Sequence, residues 1–76
     1  MIAKVYVTLK RGVLDPQGQA VARALSRLGF SEVQDARIGK YIELQVESAD
    51  DKRLKDMCEK LLANTVIEEY RVEIVK

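Results

Sequence analysis

The chain opens on a strict alternation: Ala3, Val5, Val7 and Leu9 are apolar, and Lys4, Tyr6, Thr8 and Lys10 stand between them. A period of two places the two sets on opposite faces, so residues 2 to 10 read as a half-buried strand. The period then changes. Val21, Ala24, Leu25 and Leu28 fall at helical spacing, which predicts a helix over residues 16 to 28. Asp15 is a good N-cap, and Pro16 takes the first helical position, where its missing N–H costs nothing. Gly29 is a natural terminator with Phe30 able to pack back. Gly12 reads as a bend closed to other residues. Gly18 is a poor helix former, so its place in the first turn predicts a close neighbour.

A second helix is expected from near Ser48, which with Asp51 forms a variant capping box, while Asp50 and Asp51 suit the positive end of the helix dipole. Its apolar stripe is Leu54, Met57, Cys58, Leu61 and Leu62, and Asn64 ends it. A last strand over about 66 to 75 alternates Tyr70, Val72 and Ile74 with Arg71, Glu73 and Val75.

The middle of the chain decides the architecture. A hairpin turning at Gly39-Lys40 would pair Ile38 with Tyr41, Arg37 with Ile42 and Asp35 with Leu44, setting charges against the core. As one strand, Ala36, Ile38, Ile42, Leu44 and Val46 keep a single phase, and only Lys40 is out of character. The continuous strand is the better reading. About fourteen residues at roughly 3.3 Å each reach about 46 Å, whereas a compact domain of this length has a radius of gyration of about 11 Å. Part of the strand must then leave its own core, and a bare apolar edge is a hazard unless covered. A second copy related by a two-fold axis near Gly39 and Lys40 supplies that cover most simply. The expected fold is α+β: a βαβαβ two-layer sandwich, ferredoxin-like, its long central strand shared across a homodimer. The alternative is a Gly39 bulge that bends the strand back over its own helices.

Seventy-six residues make one domain, 1–76, that is marginal alone and commonly stabilised by association. With 47% hydrophobic and 33% charged residues the chain is globular. Thirteen basic and twelve acidic side chains leave a net charge of +1, which steers nothing onto nucleic acid or anionic lipid. No apolar run reaches a membrane span, no signal peptide opens the chain, and a single cysteine fits a reducing cytosol; the expected location is the cytoplasm. There is no histidine, one cysteine cannot build a zinc site, and neither nucleotide-binding glycine motif occurs. The chain is therefore expected to carry no catalytic, cofactor-binding or metal-binding residue of its own.

Cys58 reads as a small core hydrophobe, since no imidazole stands by to activate it. Tyr6 and Tyr41 are expected on the face opposite the core; an RNA-binding sheet would look similar, but the charge is neutral and no third aromatic joins them. Tyrosine and arginine are enriched at protein contacts. The expected partner or dimer interface is thus Arg11, Gly12, Leu14, Arg37, Gly39, Lys40 and Tyr41. A small-molecule-sensing regulatory domain of ferredoxin-like fold is the alternative function.

As a string of letters the chain says more. The strand end Val5-Tyr6-Val7-Thr8-Leu9-Lys10, the connector Gly12-Val13-Leu14-Asp15-Pro16-Gln17-Gly18 and the helix end Leu28-Gly29-Phe30 resemble the small PurS-type subunit of phosphoribosylformylglycinamidine synthase. So do Val33 to Arg37, the strand Gly39-Lys40-Tyr41-Ile42-Glu43-Leu44, and the closing Ala63-Asn64-Thr65-Val66-Ile67-Glu68 with Tyr70. Arg11 stands where proline is frequent in such subunits. The resemblance implies a place in the ligase complex of purine biosynthesis that converts formylglycinamide ribonucleotide, glutamine and ATP into formylglycinamidine ribonucleotide, glutamate, ADP and phosphate. There a glutaminase subunit releases ammonia and a synthetase subunit, using ATP and magnesium, accepts it. The small subunit would be a homodimer or dimer of dimers that bridges the two and assists ammonia transfer, with no catalytic residue of its own.

Overall fold

The structure, a computed structural model, describes residues 1–48 and 50–76. Strand β1 (Ile2–Leu9) leads to helix α1 (Pro16–Arg27), strand β2 (Lys40–Gln45), helix α2 (Asp51–Met57) and strand β3 (Glu68–Val75). Between α2 and β3 the helix widens into one π turn, Cys58–Leu62. The three strands form an antiparallel sheet in the order β2-β1-β3. The α+β class and the βαβαβ element order hold.

The opening alternation sets the sheet's two faces. Ala3, Val5 and Val7 are buried, opposite Leu44, Ile42 and Lys40 on β2 and Ile74, Val72 and Tyr70 on β3. Leu54 from α2, and Cys58 and Ala63 from the π turn and its end, are buried too. Cys58 and Ala63 join Val5 and Val7 in one apolar cluster, with Ile42, Leu44, Leu62, Tyr70 and Val72 at its margin. Burying a valine or leucine fully is worth about 1.5–3 kcal/mol, and this cluster is where the chain gains most of it.

The second helix corrects the sequence reading twice. Its N-cap is Asp50, whose carboxylate accepts from Lys52 N–H (3.1 Å) and Arg53 N–H (3.4 Å). Ser48 lies in a bend before it, and Ala49, inside the expected start, lies outside the described residues. The π turn then shifts the stripe: Ala63 N–H donates to the Cys58 carbonyl at 2.8 Å, five residues back. Leu54, Cys58 and Ala63 face the sheet, while Leu61, expected in the stripe, points out at 83% exposure. Met57 is exposed as well. The last strand begins at Glu68, two residues later than expected, because Asn64 to Ile67 form a turn in which Ile67 and Glu68 N–H groups donate to the Asn64 carbonyl.

Helix α1 ends as its sequence predicts. Gly29 has φ +99°, its N–H donates to Ser26 and the Phe30 N–H to Leu25, each carbonyl about one turn back. Gly12, in contrast, has no positive φ and open space around it, so no bend there requires glycine. What α1 lacks is cover. Only Gly18 of its residues is buried. Val21, Leu28 and the following Phe30 are exposed.

The middle segment runs straight on through Gly39-Lys40. The β1–β2 register pairs Val7 with Lys40; carried outward, it puts Gly39 beside Thr8 and Arg37 beside Lys10. A Cβ on Gly39 would lie 2.5 Å from the Val7 carbonyl oxygen and 3.0 Å from Thr8, and Arg37 reaches the Lys10 carbonyl at 3.1 Å. The expected fourteen-residue rod is nonetheless hydrogen-bonded as a strand only over Lys40–Gln45, because β1 ends at Leu9 and residues 33–39 have no strand beside them in this chain. The result is elongated: 46 × 27 × 14 Å, with a radius of gyration of 15.5 Å against about 11 Å for a compact chain.

Candidate functional site

The connector between β1 and α1 meets the segment before β2, and Asp15 holds them together. It is 4% exposed. Oδ1 accepts the Gly18 N–H at 2.8 Å, capping α1, and Oδ2 accepts the Ile38 N–H at 2.7 Å. One carboxylate thus satisfies backbone donors from two parts of the chain. Those two N–H groups, with the Arg37 charge nearby, hold its pKa below the ordinary carboxylate range despite burial. Gly18 packs on the same segment: a Cβ there would collide with the Ala36 carbonyl and lie 2.9 Å from Asp15 Oδ2. The close neighbour expected for this glycine is Ala36.

Arg37 closes the other side. Its guanidinium donates to the Lys10 and Val13 carbonyls, both at 3.1 Å, and Val13 N–H donates to Lys10 at 2.9 Å to form the turn. Arg11, Gly12 and Leu14 line one shallow cleft with Arg37, Asp15 and Asp35. Gly39 and Lys40 line a neighbouring cleft with Val7, Ile38 and Glu68, and Asp15 stands in the wall between the two. Lys40 sits in the apolar phase of β2, yet its amine reaches the Leu62 carbonyl (3.1 Å) and Glu68 (3.8 Å). There it caps the end of the π turn, which explains a lysine in that row.

Tyr41 is apart from the other six. It lies on the opposite sheet face, with its ring centroid 5.1 Å from that of Tyr6. Arg71 covers the other side of Tyr6 at 4.2 Å. Asp15 was legible only as a cap, and its second bond spans 23 residues; Asp35 carried no signal beyond its place in the stretch Val33 to Arg37.

The chemistry on offer is adhesive. Cys58 is fully buried, and burial raises its thiol above the usual range. The Tyr70 hydroxyl donates to Glu59 at 2.8 Å, which pushes it up to about 12 and ties β3 to the π turn. Among the described residues no group of three His, Cys, Asp or Glu side chains could hold a metal ion.

Residues 2–76 match the family model PurS, phosphoribosylformylglycinamidine (FGAM) synthase. The chain belongs to the PurS family. It is 62% identical over 74 residues to the phosphoribosylformylglycinamidine synthase subunit PurS of Bacillus subtilis, covering 93% of this chain and 88% of that one. A solved B. subtilis PurS structure superposes with a TM-score of 0.91 at 59% identity, over 99% of this chain and 98% of that one. The structure of PurLQS from Thermotoga maritima contains a chain that matches with a TM-score of 0.80 at 33% identity, over 99% of each. The standing-off helix and the unpaired segment both fall within the length these structures match.

Proposed function

We propose that this chain is the small, non-catalytic subunit of a phosphoribosylformylglycinamidine synthase, an adaptor between a glutaminase and an ATP-dependent synthetase in the cytoplasm. The observation that carries the reading is the end-to-end match to PurS, including a chain of a PurLQS assembly. The molecule agrees with it: its polar clusters close turns and caps, and Val21, Leu28 and Phe30 around α1 are exposed. Chemistry at the complex level falls to the other subunits. Hydrolysis of glutamine yields ammonia, and ATP with magnesium activates the amide oxygen that ammonia displaces. A bridge between them raises the effective concentration of one site near the other and keeps water away from the ammonia.

The adaptor is a homodimer, alone or as a dimer of dimers. Residues 33–39 of one copy lie along β2 of the other, supplying the fourth strand each sheet lacks. Helix α1 of one copy then covers apolar surface of the other. Arg11, Gly12, Leu14, Arg37, Gly39, Lys40 and Tyr41 serve these contacts or those to the larger subunits, within a single domain over 1–76. No helix among the described residues is long and apolar enough to cross a membrane. The test is reconstitution of this chain with its glutaminase and synthetase. Glutamine-dependent turnover should require this chain, while ammonia-dependent turnover by the synthetase should not. Glutamine-dependent turnover that is equally fast without it overturns the proposal.

A further inference from the structure

We infer that the cleft beside the β1–α1 connector binds a free zwitterionic α-amino acid, its carboxylate on Arg11 and Arg37 and its ammonium on Asp35. The site needs one copy of the chain and goes beyond the adaptor reading. Unpaired charge carries it. Arg11, Asp35 and Arg37 line the connector cleft of about 290 Å³, and the three alone line a further hollow of about 400 Å³. Among the described residues the ion pairs are Lys40–Glu68, Lys55–Glu59, Lys60–Asp56 and Arg71–Glu73. None uses any of the three. Backbone anchors hold two of them apart: Arg37 Nη2 donates to the Lys10 and Val13 carbonyls, and Asp35 Oδ1 accepts the Ala36 N–H at 2.9 Å. That leaves Nη1 and Nε of Arg37, Oδ2 of Asp35 and the whole Arg11 guanidinium without a hydrogen-bond partner among the described residues. Two donors of positive charge and one acceptor of negative charge therefore face the same space, each free to take a ligand.

Gly12 points the same way. It lines the cleft, yet neither a positive φ nor a crowded neighbour requires glycine there. Keeping that wall free of a side chain is a use for it. The class of ligand follows from the signs of the charges. A phosphate or a bare dicarboxylate gains from the arginines but meets Asp35, with the Asp15 carboxylate in the wall behind it. A metal ion or a polyamine meets the two arginines. A ligand that carries both signs on one carbon satisfies all three groups, and the small volume admits one no larger than a single amino acid. Gln19, on the first turn of α1, adds an amide to the lining, which suits a polar side chain on the ligand.

Amide shifts in the full-length, isotope-labelled protein test the site, with L-glutamine as the probe and ionic strength held fixed so that screening does not change. Glutamine should move the amides of residues 11–14 and 35–37 with a Kd of about 1–10 mM, because exposed charge pairs are individually weak. Acetate and methylammonium, each carrying one of the two charges, should bind at least about fivefold more weakly, the loss expected for one such pair. Asp35→Asn keeps an oxygen for the Ala36 N–H and removes only the negative charge. It should weaken glutamine about fivefold and strengthen acetate, whereas Arg11→Gln should weaken both. No shift at those residues at ten times the expected Kd overturns the site. Acetate or inorganic phosphate binding as tightly as glutamine overturns the zwitterion, as does glutamine binding that Asp35→Asn leaves unchanged.

Discussion

The two helices of this chain are of similar amphipathic make, but only one has a sheet of its own. α2 and its π turn bury Leu54, Cys58 and Ala63, the last two in one cluster with Val5 and Val7 of β1. α1 carries Val21 and Leu25 and is capped by Leu28, which is 73% exposed. The part around α2 is held by apolar packing, and the part around α1 by backbone N–H groups donating to Asp15 and by Arg37 donating to backbone carbonyls. Hydrogen bonds can aim a segment, but their net contribution is modest. Burial for α1 must come from elsewhere, and under the proposed homodimer the second copy supplies it.

Core truncation breaks the comparison most sharply. Leu54→Ala should cost about 2–5 kcal/mol in urea unfolding, the range for a buried leucine whose cavity only partly collapses. Leu25→Ala, half-buried within one chain, should cost far less per folded monomer. Its effect should appear instead as weaker association, read by sedimentation over a concentration series. Equal losses for both, with no change in association, would mean that α1 is already covered in the single chain.

A glycine pair comes next. Gly18→Ala drives a methyl group into the Ala36 carbonyl and should destabilise by about 1–3 kcal/mol, as overpacking does, even though alanine is the better helix former. Gly12→Ala meets open space and should be neutral or stabilising by up to about 1 kcal/mol through the unfolded chain. Both are read from denaturant midpoints. A stable Gly18→Ala would mean that the 36–38 segment is free to move away from the connector.

Much of this was legible beforehand because it is local. The alternation in β1, the Asp15-Pro16 start and the Gly29 stop each depend on neighbours within a turn. What escaped depends on distance or on near-degenerate choices. Ser48 and Asp50 both suit a cap, and only the bonds to Lys52 and Arg53 separate them. Cys58 followed by either Leu62 or Ala63 fits a helix, and the wider π spacing selects Ala63 for the core. The bond from Ile38 to Asp15 joins residues whose approach no pattern announces. Phase along residues 34–47 was readable, whereas a ladder needs a neighbour that one chain does not contain.

Asp15 gives the finest test, because one carboxylate serves both halves of the contrast. Its folded pKa lies below the ordinary value of 3.8, so its contribution is complete above that pH and is lost as pH falls through the lower folded value. Asp15→Asn keeps a carbonyl oxygen for the Gly18 N–H, and asparagine caps helices about as well as aspartate. Its amide cannot offer the second acceptor that Ile38 needs, so the variant should be modestly less stable at neutral pH. The gap between wild type and variant, followed by thermal unfolding, should shrink steadily below pH 4 and close in stronger acid. The loss should also fall on residues 36–38: amide exchange at Ile38 should quicken in the variant while amides of β1 in the core stay protected. A gap that does not change with pH would assign the effect to helix capping alone and detach the carboxylate from the segment it aims.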